Sequence, residues 1–217
     1  MIPLFNSHSI GKVAHAFEKT VVVTDDGHGW YTPGKRSFDE SFRENEFNSI
    51  VEAKLMFLLD FFNIEHYQLA PAQDDTELQD RAQTEHEIVR KARAEDKKVL
   101  GISIHCDAFS KKGAHGFGVY YFKDEGRYSL EGKKFARCMA DSIIESDNLC
   151  GHEITARHDN GIVGSKFYVL RKTLGTWILI ENGFMTNDSD LKWLKDDGFR
   201  NDRTVAMFDG LYNYVKS

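Results

Sequence analysis

Hydrophobic residues along this chain follow two rhythms. Three short runs are continuously apolar and rich in β-branched side chains: Val21-Val22-Val23, Val99-Leu100-Gly101-Ile102 and Trp177-Ile178-Leu179. Such runs predict strands buried on both faces, here over 20–25, 98–105 and 176–181. Shorter runs predict further strands over 65–69, 117–122 and 167–170. The other rhythm is helical. Phe47, Val51, Leu55 and Leu58 share one stripe, widened by Ile50 and Phe62, which predicts an amphipathic helix from 44 to about 62. Phe135, Ala136, Met139, Ala140 and Ile143 mark a helix over 130–144.

The segment 75–94 is charged and helix-prone, with Leu78, Ala82, Ile88 and Val89 as apolar anchors. The mixed charges over 85–98 read as a solvated helix face. Closing helices are expected over 189–194 and 204–215. Residues 1–19 read as an irregular lead, and 27–41 and 151–165 as polar loops in which His152 and His158 are solvated. Strands alternating with helices place the chain in the α/β class.

Composition narrows the picture only slightly. A 217-residue chain with 41% hydrophobic and 29% charged residues reads as one globular domain over 1–217. A formal charge of -6 argues against nucleic-acid binding. No apolar stretch approaches the roughly 20 residues of a membrane span. His8, Lys12, His15 and Glu18 interrupt the start of the chain, so synthesis in the cytoplasm without a signal peptide is expected. Cys106, Cys138 and Cys150 are odd in number, lack metal-site spacing and read as reduced thiols.

The chemistry gathers where the buried runs end. They lead into Asp25-Asp26-Gly27-His28-Gly29, Ser103-Ile104-His105-Cys106-Asp107 and Ile180-Glu181-Asn182-Gly183-Phe184. Polar residues at the carboxyl ends of strands lie where open α/β sheets hold their sites. His28 is either a metal ligand, with Asp25 on its second nitrogen, or a turn histidine bonded to its own loop. His105 is either a ligand or a satisfied core histidine, and strand alternation turns Cys106 away from it. Glu44 and Glu46 both suit the first turn of a helix. Glu44 lies in line with Phe47, Val51 and Leu55, so it faces inward and needs a partner such as a metal; Glu46 is the second choice. Glu181, at the end of a buried run, is either a group with a raised pKa suited to acid–base work or the ion-pair partner of Arg171 or Lys172.

In this order the motifs resemble those of the zinc-dependent N-acetylmuramoyl-L-alanine amidases of bacterial autolysins and phage endolysins. The resembling segments are Asp25 to Gly29, Glu44, Ser103 to Ala108 and Glu181 to Asn187, with 167–171 similar to the strand before the last motif. Asp26, Asp107 and Asn182 depart from the family pattern, and Asp107 adds a charge near the metal. The resemblance implies a mixed, mostly parallel sheet flanked by helices on both faces. It implies one Zn2+ per chain held by His28, Glu44 and His105, with Glu181 as the catalytic glutamate. Asp25, Asp107, Asn182 and His158 would support the metal or contact substrate. The implied reaction is cleavage of the bond between N-acetylmuramic acid and L-alanine in peptidoglycan, at the cell wall or periplasm after release or assisted export. A monomer is expected, with no nucleic-acid or membrane partner and a phage or prophage origin favoured by analogy. Another zinc peptidase or deacetylase of wall material, or a non-catalytic wall-binding module, is the alternative.

Overall fold

The computed structural model describes residues 7–70, 75–111 and 113–217. Among the described residues seven strands form one sheet: β1 (Thr20–Asp25), β2 (His66–Gln68), β3 (Lys98–Asp107), β4 (Gly118–Asp124), β5 (Arg127–Tyr128), β6 (Ile162–Ser165) and β7 (Thr176–Phe184). Their order is β2-β1-β3-β7-β4-β5, with β6 also paired to β4. The pairs β2–β1, β1–β3 and β3–β7 are parallel, while β4 runs antiparallel to β7, so the sheet is mixed and mostly parallel.

Both faces of the sheet are covered, as the continuous apolar runs require. Alternation sends Val22, Leu100, Ile102, Ile104, Ile178 and Ile180 to one core and Val21, Val23, Val99, Trp177 and Leu179 to the other. On the first face lie α1 (Ser7–Ala16), α2 (Glu44–Phe61), α4 (Leu130–Cys150) and α7 (Asp197–Lys216). On the second lie α3 (Leu78–Ala94) and the short α5 (Tyr168–Lys172). A further helix, α6 (Asp188–Leu194), follows β7. At Gly101 a Cβ would stand 2.0 Å from the Trp177 ring. The missing side chain makes room for that indole, whose Nε1 donates to Glu85 of α3 at 3.1 Å.

Several expectations need correction. Within the N-terminal lead Ser7–Ala16 is a helix; Val13 on it and Phe17 just after it are buried, and the Phe17 ring stacks on Phe208 of α7; residues 1–6 lie outside the described residues. The predicted strand over 167–170 is instead a helical turn, closed by Arg171 N–H to the Phe167 carbonyl. Both edges of β7 are occupied, by β3 and β4, so Val169 and Leu170 pack onto the sheet face. The expected loop over 151–165 contains β6. The charged face of α3 is not wholly solvated, because Arg81 and Glu85 are buried while the supposed anchor Leu78 is exposed. Glu85 accepts from Leu174 N–H, Gly175 N–H and Trp177. His152 is also enclosed, paired with Asp147 and Asp202 and lying edge-on to Trp193 and Phe199. At α2 Leu59 is the fully buried residue of the last turn, with Leu58 half-buried against the same core.

Candidate metal centre and active site

Register brings the polar strand ends together. Asp25 pairs with Ser103 across β1 and β3, and His105 with Glu181 across β3 and β7. By alternation these four side chains share the α3/α5 side of the sheet. His28 follows β1 through Gly27, whose φ of +71 suits glycine; a Cβ there would lie 2.6 Å from His105 Cε1. Asn45 steadies the turn by donating to the His28 carbonyl at 2.6 Å. Glu44 opens α2 and reaches the same point from the other layer, fully buried as its alignment with Phe47 predicts. Its Oε1 accepts from Cys106 N–H at 3.2 Å and meets His105 Nδ1 at 2.9 Å.

The donor atoms of His28, Glu44 and His105 lie within 4.8 Å of one another, which makes them a candidate metal site. A cation would satisfy two otherwise orphaned atoms. Both His28 Nδ1 and Glu44 Oε2 are buried without a hydrogen-bond partner. Lys35 lies 3.5 Å from Glu44 Oε2, and Asp75 lies 3.8 Å from His28 Nδ1. Two imidazoles and a carboxylate match the donor set of a catalytic zinc site with an open fourth position. Burial pushes the His28 pKa down to about 4, which keeps the ring neutral, as a ligand must be. Burial also opposes charge on His105 and on Glu44. Their mutual hydrogen bond and attraction outweigh it, raising the pKa of His105 and lowering that of Glu44.

Glu181 lines a cavity of about 400 Å³ shared with His28, His105, Lys35, Arg81 and Tyr168. Burial pushes its pKa up to about 8, partly opposed by His105 and reinforced by Glu44. Its Oε2 is buried with no hydrogen-bond partner.

The remaining predicted residues divide. Glu46 points elsewhere and pairs with Arg200 of α7 at 2.9 Å, which removes it as the alternative ligand. Asp25 does not hold the His28 ring; it accepts from Ser103 Oγ at 2.5 Å and pairs with Arg81. Asp107 is neutralised by Arg157 at 2.9 Å, so its extra charge is compensated. Asn182 donates to the His105 carbonyl at 3.0 Å, where the β3–β7 register shifts. His158 is exposed in a separate groove with Asp107, Phe109, Arg157 and Phe184, away from the ligand cluster. Lys35, Asp75 and Arg81 were not foreseen. Arg81 and Glu85 fall in phase with Ile88 and Ala92 on α3, a charged pair on an apolar stripe, and that was the available signal.

The family model for N-acetylmuramoyl-L-alanine amidase (Amidase_3) matches residues 22–213. The chain belongs to this amidase family. It is 26% identical to the catalytic domain of CwlV, an N-acetylmuramoyl-L-alanine amidase from Bacillus (Paenibacillus) polymyxa var. colistinus. That likeness covers 91% of this chain and 98% of that catalytic-domain chain, with a TM-score of 0.72. The fold is also that of the amidase Ami1 from Mycobacterium smegmatis, at a TM-score of 0.76 and 16% identity over 92% of this chain and 98% of the other. The probable cell wall amidase LytH of Staphylococcus epidermidis is 28% identical over 126 residues, 57% of this chain and 38% of LytH. The match therefore covers less than half of that relative's length.

Proposed function

We propose that this amidase-family chain hydrolyses the amide bond joining the lactyl group of N-acetylmuramic acid to L-alanine in peptidoglycan, using one Zn2+ held by His28, Glu44 and His105. The observation that carries the reading is the meeting of these three donors, two with orphaned atoms, beside Glu181, whose Oε2 is buried without a hydrogen-bond partner. Zinc in such a site supplies Lewis acidity to a water molecule and to the scissile carbonyl. Glu181 Oε2 takes the proton of the attacking water and returns it to the leaving nitrogen as the carbon–nitrogen bond breaks. The products are a lactyl carboxylate and a free L-alanine amino group. Asn182 fixes the backbone of the ligand strand.

The proposed place of action is the cell wall, in keeping with the likeness to the probable cell wall amidase LytH. No helix among the described residues is long and apolar enough to cross a membrane.

Digestion of purified peptidoglycan by the zinc-loaded protein tests the reading. New L-alanine amino termini are expected, without new reducing ends. Glu181→Gln should keep the metal and lose about 10²–10⁴-fold in kcat. Peptide-bond or N-acetyl cleavage would reassign the chain to another zinc hydrolase, and wall binding without cleavage to a binding module. Near-normal turnover in the variant would remove Glu181 from the mechanism.

A further inference from the structure

Behind His105 runs a buried chain of polar groups that ends on helix α3. His105 Nε2 lies 3.0 Å from Ser103 Oγ, and Ser103 Oγ donates to Asp25 Oδ2 at 2.5 Å. Asp25 Oδ1 is held by Arg81 Nη1. Arg81 is fixed in turn by its other nitrogens: Nε donates to the Thr76 carbonyl at 2.9 Å and Nη2 to Asp75 at 3.0 Å. Ser103, Asp25 and Arg81 are all buried.

The donor count along this chain places one hydrogen of the ring. A carboxylate only accepts, and a serine hydroxyl has one proton to give. With Asp25 as acceptor, Ser103 spends that proton on Oδ2. Its oxygen then faces His105 only as an acceptor, so Nε2 must carry a hydrogen. Glu44 Oε1, also acceptor-only, meets the ring at Nδ1, so without a metal Nδ1 carries a second hydrogen for it; a cation at the site replaces that hydrogen and leaves Nδ1 its lone pair. Nδ1 is the nitrogen that faces Glu44 and the candidate metal site. Arg81 holds Oδ1 and thereby reserves Oδ2 for the serine.

We propose that Arg81, acting through Asp25 and Ser103, is a positioning residue that sets the tautomer and ring orientation of His105 for metal binding. This rests on the metal-centre reading above and extends it to a residue outside the motifs. Partners that fix a ligating histidine from behind are worth about 10- to 100-fold in metal affinity. A purely structural role for the Arg81–Asp25 pair would affect stability and leave the imidazole tautomer and metal affinity unchanged.

The test uses metal-free full-length protein titrated with Zn2+ against a competing chelator, together with 15N NMR of the His105 ring. The unaltered protein should bind one zinc per chain with the hydrogen on Nε2. Ser103→Ala cuts the link at its last member and should weaken zinc binding about 10- to 100-fold, with the Nε2–H signature lost or mixed. Arg81→Met should do the same, and Arg81→Lys, which keeps a cation beside Asp25, should recover part of the loss. Should Arg81→Met fail to fold, Ser103→Ala and Arg81→Lys still decide. If Ser103→Ala and every folded Arg81 variant bind zinc within twofold of the unaltered protein and keep the tautomer, the positioning role is overturned while the metal centre stands. If the unaltered protein takes up no zinc, the metal-centre reading falls, and this role with it.

Discussion

At the residue scale, burial sets the properties of the carboxylates in and below the site. Glu181 and Glu52 are both pushed up to about 8 by desolvation, one in the active-site cavity and the other on α2. Glu52 is 1% exposed, sits near Asp26, and accepts from Gln68 at 2.5 Å. Its folded pKa lies above the model-peptide value of 4.5, so the folded state holds the proton more tightly. Its contribution to stability is complete below about pH 4.5, falls as pH rises, and is gone above about 8. Glu52→Gln should therefore be more stable than the unaltered protein at pH 8.5, with the advantage shrinking toward pH 4.5. Urea unfolding at the two pH values measures this, and equal differences at both would contradict it. His28, Glu44, His105 and Glu181 were legible as residues because each ends or opens a strongly patterned element. Their alternatives, such as Glu46, could be dismissed only once Arg200 was seen to hold it.

At the element scale, the continuous apolar runs became strands, as did the runs over 65–69 and 117–122 as β2 and β4; the run over 167–170 did not. The three continuous runs became the buried strands β1, β3 and β7, whose register lines up Asp25, Ser103, His105 and Glu181. The four-residue run over 167–170 has the same composition as a strand but no vacant edge beside β7, and tertiary packing turned it into α5. The charged α3 hid Arg81 and Glu85, because charge is usually read as solvation. Here each charge is buried against a specific partner. The packing of α3 relies on Gly101, whose bare backbone admits the Trp177 indole. Gly101→Ala should lower the unfolding free energy by about 3 kcal/mol through overpacking. The urea midpoint should fall at unchanged slope, and an unmoved midpoint would show that Trp177 has room to shift.

At the scale of the whole molecule, the site joins layers that are distant along the chain. Glu44 comes from the α2 layer, while Arg81 reaches in from α3 on the opposite face. Zinc bound by His28, Glu44 and His105 should stabilise the folded state by mass action, about 2.7 kcal/mol at free zinc 100 times Kd. In a chain of this size, removing the metal with a chelator should then lower Tm by roughly 5–10 °C. His28→Ala should abolish that dependence, whereas a Tm indifferent to zinc in the unaltered protein would count against a folded-state site.

The amino-acid sequence alone determined the α/β class, the buried strands and the identities of the metal-binding and acid–base candidates. Periodicity and strand-end chemistry are local properties and can be read in one dimension. The partners of those residues were decided only in three dimensions. Asp25 serves Ser103 rather than His28, Arg157 neutralises Asp107, and Arg81 stands behind His105. Such pairings span 50 to 78 residues of chain, and which buried donor meets which buried acceptor depends on how the layers close over the sheet.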